Sequence, residues 1–191
     1  MVSHRMSLEP LVGFRSQKAA QCAAYFAARE GASIDKLKLI KLLYLAEREF
    51  ISRHEMPMLF DEYYSLPHGP ICSSTLNGIN GEGENEIWSK MISVSGSKDV
   101  KAVQNIARDD LDEVSNAEWN VLEYIWHSFG HLTAGQIRNY THKNCPEYVE
   151  VASGRLPIRM FDILEALGIE NARDVETHIS AARRMDVLLS L

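Results

Sequence analysis

Residues 37–50 constrain the fold more than any other stretch, because their apolar side chains run almost all the way round a helix. Leu37, Leu39, Ile40, Leu42, Leu43, Tyr44, Leu45, Ala46 and Phe50 leave little of the circumference polar, and a helix of that kind belongs inside a core. Ser33 is placed to cap it, Asp35 suits its positive first turn, and Pro57 stops it soon after His54. Lys38 and Lys41, three residues apart on one side, interrupt the apolar surface. A lysine stem can lie along apolar surface with its ammonium at the edge. The sharper expectation gives the two ammonium groups fixed partners: Asp61 or Glu62, helix-terminal carbonyls, or an acidic ligand.

The rest of the chain supplies more helices to pack around that one. A helix over 16–30, capped by Ser16 and ended by Gly31, presents the thin face Ala20, Ala23, Ala24, Phe26 and Ala27. Residues 62–66 read as a short extended piece. Pro67 and Pro70 bracket His68-Gly69, and Pro70 is placed as the first residue of a short helix over 71–79. Between 87 and 106, Trp88, Met91, Ile92 and Val94 alternate with Val100, Ala102 and Val103 across Gly96-Ser97-Lys98-Asp99, the pattern of a small β-hairpin. A helical reading over 100–107 competes with it. Ser115 with Glu118 and Thr133 with Gln136 form two capping boxes. Pro157 opens a helix over 158–167 closed by Gly168, and Asn171 caps a last helix carrying Val175, Ile179, Ala182 and Leu188. The fold class expected is mostly α, a single compact helical domain, with residues 1–15 as a flexible N-terminal arm and 16–191 as the domain.

Composition limits the function classes. A chain of 191 residues can bury one real core. No run approaches the ~18 apolar residues of a membrane span, and the first residues lack a secretory core. Cys22, Cys72 and Cys145 are scattered and odd in number, which suits a reducing cytoplasm better than a disulfide framework. The formal charge of −6 repels phosphate backbones and disfavours nucleic acid as a partner. A cytoplasmic protein without a membrane anchor is the expectation.

Chemistry-bearing patterns are sparse. There is no C-x-x-C pair; His127 and His131 are separated by helix-ending Gly130; His142 and Cys145 lack further zinc ligands. No metal or cofactor is expected. Cys72 at a helix start, with His68 nearby, is the one arrangement that invites a nucleophile, but no orienting acid accompanies it. Glu82, Glu84 and Glu86 lack the calcium-loop ladder, and no glycine pattern cradles phosphate. No catalytic residue is assigned.

Three segments together resemble the Panacea domain of SocA-like antitoxins, also met in phage-associated proteins. Lys38-Leu39-Ile40-Lys41-Leu42-Leu43-Tyr44 is similar to its K-L-x-K-L-L-Y helix. His68-Gly69-Pro70-Ile71 is similar to its aromatic-Gly-Pro-Val turn. Thr141-His142, followed by Pro146 and Tyr148, resembles its Thr-His segment with a following proline and tryptophan. His68 stands where an aromatic residue is common, and Tyr148 where tryptophan is usual; each keeps a flat ring with a polar handle. The resemblance implies that Lys38, Lys41, Leu42, Tyr44, His68, Gly69, Pro70, Thr141, His142, Pro146 and Tyr148 are structural or partner-binding residues. It further implies a non-enzymatic antitoxin that neutralises a cognate toxin protein by direct contact, and that could deliver it to a bacterial protease such as a Clp-type complex. The acidic balance favours a basic toxin face. The partner-facing surface is expected at 67–70, at 141–148 or within 81–97. Two alternatives stand beside it: a cysteine hydrolase using Cys72 with His68 or His142, and a DNA-binding repressor reading bases through Gln136, Arg138, Asn139, His142 and Lys143.

Overall fold

A computed structural model describes residues 13–31 and 33–189. Eight α-helices dominate these residues, with two small antiparallel sheets of three strands each. The expected N-terminal arm falls mainly on residues 1–12, outside the described residues. Of its remainder, Phe14 packs against the core and the Arg15 amide donates to the Leu59 carbonyl at 3.0 Å.

Helix α1 (Ser16–Glu30) and helix α2 (Lys36–His54) form the centre. The small residues Ala19, Ala20, Ala23 and Ala24 of α1 are fully buried, so neighbouring elements can approach its backbone closely. Its start differs from expectation. Ser16 lies inside the helix, and its hydroxyl accepts from Trp88 Nε1 at 3.2 Å rather than from a helix amide. A Cβ on Gly78 would fall 2.0 Å from the Trp88 ring, so only glycine leaves room for this indole. Helix α2 is capped by Asp35, whose carboxylate accepts from the Leu37 and Lys38 amides at 2.8 and 3.4 Å. Ser33 is therefore not the cap; the acid expected in the first turn takes that place.

Against α1 lies the sheet β1 (Ile34–Asp35), β5 (Asp99–Ala102) and β4 (Ile92–Ser95), in the order β1-β5-β4. The expected hairpin is thus present over 92–102, with Val94 opposite Val100. Its N-terminal part is not extended: Trp88 and Met91 belong to helix α4 (Asn85–Met91).

The second sheet is ordered β3-β2-β6, from β3 (Gly69–Cys72), β2 (Tyr63–Leu66) and β6 (Leu156–Ile158). Two expectations fail here for one reason. Pro70 and Pro157 do not open helices; each sits in an edge strand, where a residue without an N–H removes no ladder bond. The helices follow later, as α3 (Ser73–Ile79) and α7 (Met160–Ala166). Helix α5 (Asn116–Phe129) and helix α6 (Ala134–Asn144) begin at the two expected capping boxes and pack on α2. Helix α8 (Ala172–Leu189) pairs with α7. Val175 and Ile179 are buried on it, whereas Leu188, expected on the same stripe, is exposed.

Candidate functional site

The β2–β3 hairpin, the middle of α2 and the end of α6 meet at one place, and the three family-like segments supply the contacts. Lys41 is fully buried, and its Nζ donates to the Pro70 carbonyl at 2.8 Å. That carbonyl faces away from the ladder on an edge strand and so is free to accept. Burial pulls the ammonium pKa down to about 7, against the opposing pull of the nearby Cys145 and Cys72 thiols. Gly69 adopts φ +98°, and a Cβ there would lie 2.9 Å from Lys41 Nζ and 3.1 Å from His142 Nε2. The turn is thus pressed onto the lysine and the histidine with no room for a side chain.

His142 completes this layer. Its Nε2 is shielded from solvent and has no hydrogen-bond partner among the described residues. Burial and then Lys41 push its pKa down, while the His68 backbone opposes the shift. The Tyr148 ring stands 4.5 Å from the His142 ring, and its hydroxyl donates to the Leu66 carbonyl at 3.1 Å. Val149 N donates to the buried Ser65 Oγ at 3.1 Å. The irregular segment after α6 is therefore stitched along β2. His68 itself projects from the hairpin tip, exposed, with no hydrogen bond from its imidazole among the described residues.

A second knot lies one turn along α2. Tyr44 is buried, and its hydroxyl donates to Glu147 Oε1 at 2.7 Å; Arg48 Nε reaches the same oxygen at 2.8 Å. Leu42 is core, the Thr141 hydroxyl donates to the Arg138 carbonyl, and Pro146 is exposed. Lys38 is elsewhere: its Nζ donates to Glu30 Oε2 at 2.6 Å and to the Gly130 carbonyl at 2.7 Å, over the Trp126 ring. It therefore ties the end of α1 to the end of α5. Helix-terminal carbonyl and carboxylate partners were among the options for the two lysines, but Asp61 and Glu62 are not those partners.

Asp61 instead caps α3 from a distance. It accepts from the Ser74 and Thr75 amides at 2.8 and 2.9 Å and from the Thr75 hydroxyl at 2.7 Å. Cys72 occupies the N-cap position without capping, and its thiol is buried. Burial, then the Asp61 and Glu47 charges, raises that thiol's pKa far above the ordinary range, with Lys41 only partly opposing. The helix start therefore does not activate it. Glu47, which no sequence motif singled out, accepts from the Met58 and Leu59 amides and the Tyr63 hydroxyl. Its only trace in the sequence is an acid directly after the apolar run Leu42–Ala46 of α2. Among the described residues no three His, Cys, Asp or Glu side chains gather as a metal site.

The sequence profile of the SocA-like antitoxin, Panacea domain matches residues 39–147, more than half of the chain. The chain belongs to this antitoxin family. Comparison with curated proteins and with solved structures gives no match. The Panacea-domain span runs from the residue after Lys38 to Glu147, so it includes the Lys41 contact and both partners of the Tyr44–Glu147 bond. Among the described residues no Panacea-domain helix is long and apolar enough to cross a membrane.

Proposed function

We propose that this Panacea-domain protein is an antitoxin that neutralises a cognate toxin by direct protein–protein contact in the cytoplasm, without catalysing a reaction. The observation that carries this reading is the use to which the motif side chains are put within the family span. Lys41 and Tyr44 are buried and spent on the Pro70 carbonyl and the Glu147 carboxylate, which makes them builders of a rigid body rather than reactive groups. A rigid body with loops and turns at its surface is suited to docking. Neutralisation by occlusion follows from binding alone; delivery of the toxin to a Clp-type protease would add a second contact on the same body.

The test is co-expression with the product of the adjacent open reading frame. The expected result is restored growth together with co-purification of the two chains; a neighbour that is toxic, yet neither rescued nor bound, would end the proposal. The hydrolase alternative requires Cys72 to act as a thiolate, against its burial and raised pKa. Neutralisation by a Cys72→Ala protein at the wild-type level is the expected outcome.

A further inference from the structure

The two sheets treat the outward backbone groups of their edges differently. Ser73 N donates to the Glu62 carbonyl, and that bond sets the alternation along β2: Tyr64 and Leu66 bond to β3, so Tyr63 and Ser65 bond to β6. Pro70 and Pro157 therefore occupy the outward-facing positions of the two edge strands. Neither has an N–H to offer, and the Pro70 carbonyl is taken by Lys41. Proline at an edge keeps foreign strands from pairing. The other sheet lacks that protection on β4.

Two hydrogen bonds fix the alternation there. Val103 N donates to the Met91 carbonyl at 3.0 Å, one register step beyond Ile92 and Ala102. Lys36 N donates to the Lys98 carbonyl at 2.6 Å, one step beyond Asp35 and Asp99. Ser93 and Ser95 consequently bond to β5, and Val100 spends its backbone on Ile34 of β1. Val94, opposite Val100, turns both its N–H and its C=O outward, and neither has a partner among the described residues. The Ile92 carbonyl faces the same way, while the Ile92 N–H closes α4 on the Trp88 carbonyl. Residues 93–95 are exposed, and the strand holds neither proline nor charge. Beside this edge, on the face that carries the Ile92 and Val94 side chains, lies a groove of about 160 Å³ lined by Gly78, Ile79, Trp88, Ser89, Ile92 and Val94. That is close to the volume that holds one benzene-sized apolar group.

We propose that the outer edge of β4 binds an extended segment of the toxin as an added strand, and that the residue opposite Val94 seats an apolar side chain in the groove. Unpaired N–H and C=O groups along an edge recognise backbone, and a pocket beside them selects the side chain. One residue of the added strand satisfies both groups of Val94 and stands on the groove face. A second copy of this chain fits less well. Self-pairing about Val94 would bring the Lys98 turn of each copy to the end of α4 in the other, where Lys90 is exposed. Neither lysine has an ion pair among the described residues to offset the repulsion. The edge lies within 81–97, one of the three stretches expected to face the partner. That the occupant belongs to a toxin rests on the function proposed above; its extended form and apolar side chain rest on the edge and groove alone.

Two measurements test it. The first is amide exchange in the wild-type protein, free and bound to the product of the adjacent open reading frame. In the free chain Val94 should exchange fast and Ser93, Ser95 and Val100 slowly; in the complex Val94 should slow by about tenfold or more. Slow exchange at Val94 in the free monomer, slowing that tracks pairing of two copies, or a complex in which Val94 still exchanges fast would each overturn the proposal. The second is co-expression of variants. Val94→Pro removes the outward N–H and leaves the β4–β5 bonds, which come from Ser93 and Ser95. At an unchanged melting temperature it should weaken toxin binding about tenfold or more and lose neutralisation, whereas Val94→Thr should keep both. Ser89→Trp, at the groove wall, should also weaken binding; wild-type affinity would overturn the seated side chain. Neutralisation by Val94→Pro at the wild-type level overturns the edge and leaves the antitoxin function standing. Loss with both Val94 variants assigns the contact to the side chain and overturns the backbone pairing. If Val94→Pro melts lower, exchange in the wild-type complex decides alone. Toxicity that the wild-type protein neither relieves nor binds removes the antitoxin function itself and, with it, the toxin as occupant.

Discussion

Two buried titratable residues on one helix pull stability in opposite directions with pH. Glu47 has its native pKa raised to about 7 from 4.5, chiefly by burial. The native state therefore holds that proton more tightly than the unfolded chain, so its contribution is complete below pH 4.5 and is lost as pH rises to 7. Lys41 has its native pKa lowered to about 7 from 10.5, again by burial. Here the unfolded chain binds the proton more tightly, so stability is gained as pH rises from 7 to 10.5. Urea denaturation across this range should show Glu47→Gln removing the decline below neutrality, a change of roughly 3 kcal/mol between its ends. Lys41→Met should remove the rise above neutrality. If both variants keep the wild-type pH profile, these groups are not held as described. Gly69→Ala offers a further residue-scale check: φ +98° and the approach of Lys41 and His142 should cost more than about 1 kcal/mol in thermal melts.

At the scale of elements, polar side chains fix which helices touch. Lys18 on α1 and Glu118 on α5 form a buried pair at 2.6 Å, and Glu118 also holds the Ser115 amide of its capping box. Lys18→Met leaves a buried carboxylate unpaired and should cost about 3–5 kcal/mol. The double change Lys18→Met/Glu118→Gln keeps the cap and should recover much of that loss; no recovery would mean that packing, rather than charge, explains the single variant. Asp61→Ala leaves the Ser74 and Thr75 amides without their acceptor, and α3 should fray at a cost of about 1–2 kcal/mol, read by amide exchange at 73–76. The sequence made some of these elements plain and hid others. Capping boxes at Ser115 and Thr133 are local, so both helix starts could be read directly. Asp61 acts on amides thirteen residues later, a distance no local pattern carries. Pro70 and Pro157 misled because proline is equally at home at a helix start and on an edge strand, and only strand pairing decides between them. Lys41 could be recognised as unusual, but its partner is a backbone carbonyl, which no residue type announces.

For the whole molecule, all three cysteines are buried, at 0%, 1% and 2% exposure for Cys22, Cys72 and Cys145. Their thiols should resist a disulfide reagent in the folded protein and react together only as the chain unfolds. Prompt modification of Cys72 under native conditions would contradict its burial and reopen the hydrolase reading. The Tyr44–Glu147 bond joins residues 103 apart in sequence, and Tyr148 and Val149 then run on to β2. A cut within the exposed 152–156 stretch would consequently leave the clasp intact, and the cleaved protein should keep its α2–α6 framework while β6, α7 and α8 loosen. An amputation ahead of Glu147 goes further: it removes α7 from the central helix outright and also takes away the bolt that closes the belt around it.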